Sequence, residues 1–177
     1  MSLDSTLENA ILADAPQEAV APVGVPALTL DRIYPEQLPE KWEAFVLPAV
    51  RVGLGVQASK EEAVEGAFFA LKSDILRAYL IVGRPAESGD QKAVLGTVIV
   101  GRNVDVPSNT LTLHIWSLYA NGGLGISEWR TGLEAIRRVK EEMGCVAVTA
   151  QTNSRKLCEL VKALGGKAEA VLLRLEV

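Results

Sequence analysis

The stretch that most limits how this chain folds runs from residue 111 to residue 143. Residues 111–120 read Leu-Thr-Leu-His-Ile-Trp-Ser-Leu-Tyr-Ala, a run rich in β-forming residues, and Asn121-Gly122-Gly123-Leu124-Gly125 follows at once. Beyond the glycines, Trp129, Leu133, Ile136, Val139 and Met143 recur on one helical face. The spacing predicts a helix over 127–143, with Glu134 and Arg138 as an i,i+4 ion pair on its outer face. A strand that turns through glycines straight into an amphipathic helix needs a sheet for the strand and a sheet face for the helix.

The flanking sequence supplies both. Residues 28–33 alternate like a strand, and Leu38, Trp42, Phe45 and Ala49 keep helical spacing. Ser59 and Glu62 form a capping box ahead of a second helix carrying Ala63, Val64, Ala67, Phe68 and Leu71. Residues 78–82 and 94–100 read as a hairpin around a loop at 85–91. After Gly144 comes a short strand at 145–149 that reads as buried. A last helix carries Leu157, Leu160, Val161 and Leu164, is closed by Gly165-Gly166, and is followed by a closing strand at 170–177. Gly132, on the inner face of helix 127–143, is expected to allow close packing on the sheet. The order predicts an α/β domain over 28–177, a mixed sheet flanked by helices.

Residues 1–27 differ from the rest. They hold six alanines, Pro16, Pro22 and Pro26, and Asp4, Glu8, Asp14 and Glu18 without a Lys or Arg, while the remainder of the chain balances to zero charge. We read them as an extended arm in which Leu3, Leu7, Ile11 and Leu12 are spaced to dock on other protein subunits. A neutral body with an acidic arm offers no basic stripe for nucleic acid. No run approaches the roughly 18–20 apolar residues of a membrane span, and no secretory pattern opens the chain, so the expected location is intracellular. Two cysteines, Cys145 and Cys158, and a single histidine, His114, give no metal-ligand cluster.

With these elements in place, residues 28–177 resemble the GNAT superfamily of N-acyltransferases, which move an acyl group from acyl-coenzyme A to an amine. The likeness is densest at Leu118-Tyr119-Ala120-Asn121-Gly122-Gly123-Leu124-Gly125. It is similar to the family's Leu-Tyr-Val strand end and its Arg/Gln-x-x-Gly-x-Gly/Ala loop, with Ala120 in place of Arg/Gln. The resemblance implies acetyl-CoA as cofactor, held at Ala120, Asn121, Gly122, Gly123, Leu124, Gly125 and Ile126. Glycines let a backbone approach a pyrophosphate, and helix N–H groups attract its charge. Gly144 to Thr149, Asn153 and Ala163-Leu164-Gly165 resemble the family's C-terminal stretch. The family's tyrosine is missing near Leu160 and Val161.

Acyl transfer to an amine needs a base for the ammonium proton. His114 stands near the place where many family members carry a strand glutamate, and its ordinary pKa near 6.5 suits that task. Tyr119, on the same strand, is the candidate acid. The missing tyrosine, glutamate and Arg/Gln favour a second reading, most similar to phage-encoded GNAT-like proteins. In it the chain is a structural or assembly component of a phage particle, docking through residues 1–27, located in the virion, and weak or inactive as a catalyst. The alternative is an acetyl-CoA-dependent N-acetyltransferase.

Overall fold

The computed structural model describes residues 28–83, 92–106, 108–121, 126–151, 155–163 and 165–167. The arm at 1–27, the closing strand expected at 170–177 and Gly122, Gly123, Leu124 and Gly125 lie outside the described residues. Strand β1 (Thr29–Ile33) leads into a helical segment made of α1 (Leu38–Lys41), a π-helical turn (Trp42–Val46) and α2 (Leu47–Leu54). A 3-10 turn (Gly55–Ser59) precedes α3 (Glu61–Lys72). Then come β2 (Leu76–Gly83), β3 (Ala93–Asp105), β4 (Thr110–Ala120), α4 (Ile126–Glu142), β5 (Ala147–Ala150) and α5 (Arg155–Ala163). The strands lie in sequence order, antiparallel from β1 to β4, with β5 parallel to β4 across the α4 crossover. The mixed α/β sheet with flanking helices is as the periodicities predict.

Period-two alternation splits the sheet's side chains between two cores. On one face Leu28, Tyr79, Ile81, Val98, Val100 and Leu113 pack with Ile136, Val139 and Met143 from and just after α4. On the other, Ile33, Ala78 and Ile99 pack with Leu38, Val46, Ala49, Val50, Ala67 and Leu71 from α1, α2 and α3. Trp42 belongs to this second core, edge-on to Phe68 with ring centroids 4.9 Å apart. Pro48 brings no N–H to its helix, and the π-helical turn sits directly before it. Two buried sheet hydroxyls reach into this segment: Thr97 donates to the Phe45 carbonyl at 2.8 Å and Ser117 to the Ala49 carbonyl at 2.5 Å. At the other end of the sheet, Asp74 adopts a left-handed backbone (φ 58°) and accepts hydrogen bonds from Arg32 and Arg77. Burial opposes its charge, but the two arginines outweigh burial and hold its carboxyl below the ordinary value.

Several local expectations are corrected. Helix α3 starts from an extended Lys60 that makes no side-chain cap, so the helix begins one residue past the expected cap Ser59, which is part of the preceding 3-10 turn. Glu134 pairs with Arg137 at 3.0 Å, not with Arg138, because i,i+3 and i,i+4 neighbours are equally in reach on a helix. The short fifth strand is exposed along its length, and only Cys145 before it is buried. At Gly132 an added Cβ would meet only Leu28 Cδ1, at an ordinary 3.6 Å, so close packing does not require glycine there.

Trp116 interrupts the pairing of β3 with β4. Ile99 faces Ser117 and Val100 faces Ile115, which leaves Trp116 as an extra residue in a β-bulge. The bulge turns Trp116 and Ser117 both toward α2. There the indole lies on Gly53: a Cβ at that position would come within 2.7 and 2.9 Å of ring carbons and 3.0 Å of Ser117 Cβ. We expect Gly53→Ala to cost a net of about 1–2 kcal/mol, overpacking outweighing the gain in helix propensity. Thermal unfolding should show a drop of a few degrees, shrinking toward zero in a Trp116→Leu background. An unchanged melting temperature in the single variant would mean that the ring shifts aside at no cost.

Candidate functional site

The parallel pairing of β4 with β5 is short. It runs from Thr112 opposite Ala147 to Ile115 opposite Ala150, and there β5 ends while β4 continues to Ala120. From the Trp116 bulge onward, that edge of β4 therefore has no strand partner among the described residues. Edge backbone of this kind keeps N–H and C=O groups free for an extended ligand. The β4 strand ends at Ala120 and α4 opens at Ile126, so the helix N-terminus follows the free edge directly.

His114 stands on the rung just before the last paired one, opposite Thr149 of β5. Leu113 and Ile115 pack into the α4-side core, so alternation turns His114 toward the face that carries α2. Its Nδ1 is 3.1 Å from Thr149 Oγ1. The ring is half-buried, and burial pushes its pKa below the ordinary 6.5, which leaves it neutral at pH 7 with a lone pair to offer. Thr149 carries no sequence signal for this partnership.

Tyr119 packs against the α1–α3 core and faces Thr97 in the ladder. Because of the bulge it stands four rungs of the β3 ladder from His114, about 13 Å at roughly 3.3 Å per residue. The structure does not bring the two side chains to one reacting centre. An added Cβ at Gly96 would fall 2.1 Å from the Tyr119 carbonyl oxygen, so the close approach of β3 at this point demands glycine. Ala120 and Asn121 sit at the strand end, with the Asn121 N–H bonded to the Leu95 carbonyl at 2.8 Å.

A groove of about 470 Å³ lies on the opposite face of the sheet, between α4 and β5, where Arg130, Arg137 and Lys140 border Leu133 and Val148. Its one carboxylate, Glu134, is held by Arg137, so the groove has no free base among the described residues. No group of three or more metal-binding side chains occurs among the described residues, and no helix there is long and apolar enough to cross a membrane.

No protein-family model and no curated protein matches the sequence. Solved structures do match in shape. A putative acetyl transferase from Pyrococcus furiosus is 15% identical with a TM-score of 0.56, the alignment covering 85% of this chain and 99% of that one. AAC(6')-Iy, solved with the bisubstrate analogue CoA-S-monomethyl-acetylneamine, is 13% identical with a TM-score of 0.55, covering 85% and 98%. Glucosamine-6-phosphate N-acetyltransferase from Arabidopsis thaliana is 12% identical with a TM-score of 0.52, covering 84% and 97%. At such identities the likeness speaks for the fold and leaves the chemistry to this chain's own residues. The sheet order, the parallel pairing of β4 with β5 and the α4 crossover thus give this chain the fold of the GNAT acetyltransferases.

Proposed function

We propose that the chain is an acyl-CoA-dependent N-acyltransferase acting on an amine. The observation that carries this reading is the edge of β4 past the Ile115–Ala150 rung, which has no strand partner among the described residues, with a neutral histidine before it and the N-terminus of α4 following in sequence. A pantetheine arm is a chain of amides and fits an edge with unpaired backbone groups. Its pyrophosphate suits glycines 122, 123 and 125 followed by helix N–H groups. Acetyl-CoA supplies the activated acyl group when bound. The chain supplies alignment along β4 and a base, His114, that takes the proton the amine gives up. The likeness to a neighbour solved with a CoA bisubstrate analogue supports the choice of donor.

The assembly reading draws on residues 1–27, and no observation among the described residues favours a place in a phage particle. Tyr119 we assign to packing. The role of acid falls to no described side chain beside His114.

Calorimetric titration of acetyl-CoA into the purified full-length chain tests the donor. Replacing Gly123 and Gly125 together by Val should weaken binding by roughly 10-fold or more, since side chains there block the backbone from the phosphates. Equal affinity in the double variant removes the proposed site.

Coenzyme A release with a panel of amines tests the base. His114→Ala should lower kcat/KM by about 10²-fold or more, whereas Tyr119→Phe retains it. The pH profile follows from the sign of the shift. With its pKa lowered, His114 is protonated only in acid, so kcat/KM should climb with pH through a midpoint below 6.5 and stay level across neutrality. A limb centred well above 7 that does not move with the pKa of the amine assigns the base to another group.

A further inference from the structure

We infer that Thr149 is a positioning residue for His114: its hydroxyl accepts the Nδ1 proton and so leaves the Nε2 lone pair free as the base. The inference rests on the function proposed above for the use of that lone pair, but not for the tautomer itself.

Four observations lead to it. The 3.1 Å contact joins Thr149 Oγ1 to Nδ1, so the ring presents Nε2 away from β5. Nδ1 has this hydroxyl as its partner, and Nε2 has no hydrogen-bond partner among the described residues. The ring is half-buried with its pKa lowered by burial alone, so at neutral pH one proton must be placed on one of two nitrogens. Thr149 is exposed, which lets its own proton go to solvent while its oxygen accepts.

The choice between the two tautomers then follows from hydrogen-bond accounting. A half-buried N–H gains from a fixed acceptor in the protein, whereas a lone pair turned to solvent is readily served by water. Placing the proton on Nδ1 satisfies the donor through Thr149. Placing it on Nε2 leaves that N–H to solvent and makes the hydroxyl give its proton to Nδ1 instead. The hydrogen bond at one ring nitrogen sets the state of the other.

Position in the sheet adds a second constraint. His114 and Thr149 face each other one rung before the strands cease to pair, next to the Trp116 bulge. The ladder holds both backbones in register, so the hydroxyl is held at a fixed place relative to the ring, at the start of the free β4 edge. A β-branched residue suits this task, since its χ1 is confined on a strand. The groups nearest His114 on its own strand are Thr112 and Trp116, and the β3 residue opposite it is Gly101; none of these carries a charge.

Because His114 is the only histidine, its ring nitrogens can be read without assignment in a ¹⁵N-labelled full-length sample. At pH 8 the long-range ¹H–¹⁵N spectrum should show Nδ1 protonated and Nε2 bare. Thr149→Val keeps the branch and removes the hydroxyl; it should move the proton mainly to Nε2. Thr149→Ser, which keeps an oxygen, should restore the original pattern. A wild-type spectrum with the proton on Nε2, or patterns identical in wild type and Thr149→Val, overturns the inference. Should Thr149→Val fail to fold by circular dichroism, the wild-type and Thr149→Ser spectra still decide between the two tautomers.

Turnover separates this inference from the function it builds on. With an active amine, Thr149→Val should reduce kcat roughly 10-fold with little change in KM for the amine, and Thr149→Ser should recover most of the loss. A tautomer that shifts as expected while kcat stays constant leaves Thr149 as the orienting group and removes His114 from the role of base.

Discussion

The contact between Trp116 and Gly53 is what the geometry of the candidate site depends on. A regular β4 would send Ser117 into the α4-side core and Leu118 out of it. The extra residue at Trp116 reverses that phase, so Ser117 reaches the Ala49 carbonyl and Leu118 packs on the α4-side core. The indole then needs a helix surface without a side chain, and Gly53 provides it. Seating α2 on β4 in this way and ending the ladder with β5 occur within two residues of each other. The bulge therefore both anchors the helical layer and marks where β4 loses its parallel partner.

Much of this is legible in residue order. The helical face of Trp129, Leu133, Ile136, Val139 and Met143 fixes α4 nearly to its ends, and alternation locates β1 to β4. Even the bulge leaves a trace: the residues turned to the α4-side core run 113, 115, then 118, a slip from odd to even that a straight strand does not make. Other features depend on information the local sequence lacks. The partnership of Thr149 with His114 depends on the register between two parallel strands joined through α4, which no short window encodes. Residues 145–149 are apolar enough to read as a buried strand, but composition does not say how far the other elements cover it, and among the described residues β5 pairs only with β4. The Glu134 pair went to Arg137 instead of Arg138 because exposed helix pairs contribute only about 0.2–0.5 kcal/mol, too little to select one spacing over the other.

The lowered pKa of His114 has a chemical consequence for an acyltransferase. A carboxylate at the same half-buried place would be pushed upward by burial, toward a stronger base, while a histidine is pushed downward. What the histidine gains is availability, since it stays neutral across the neutral range without a charged partner. What it loses is driving force. Removing a proton from a lysine-like ammonium, with a pKa near 10.4, onto a base below 6.5 is uphill by at least about 5 kcal/mol before attack begins, at roughly 1.4 kcal/mol per unit. For an α-amino group, near 7.8, the same lower bound is about 2 kcal/mol. Within the proposed function, a base of this strength suits an amine of modest basicity, or one whose acidity rises as its bond to the acyl carbon forms. The tautomer then matters because so weak a base contributes only if its lone pair is on the nitrogen that faces the amine.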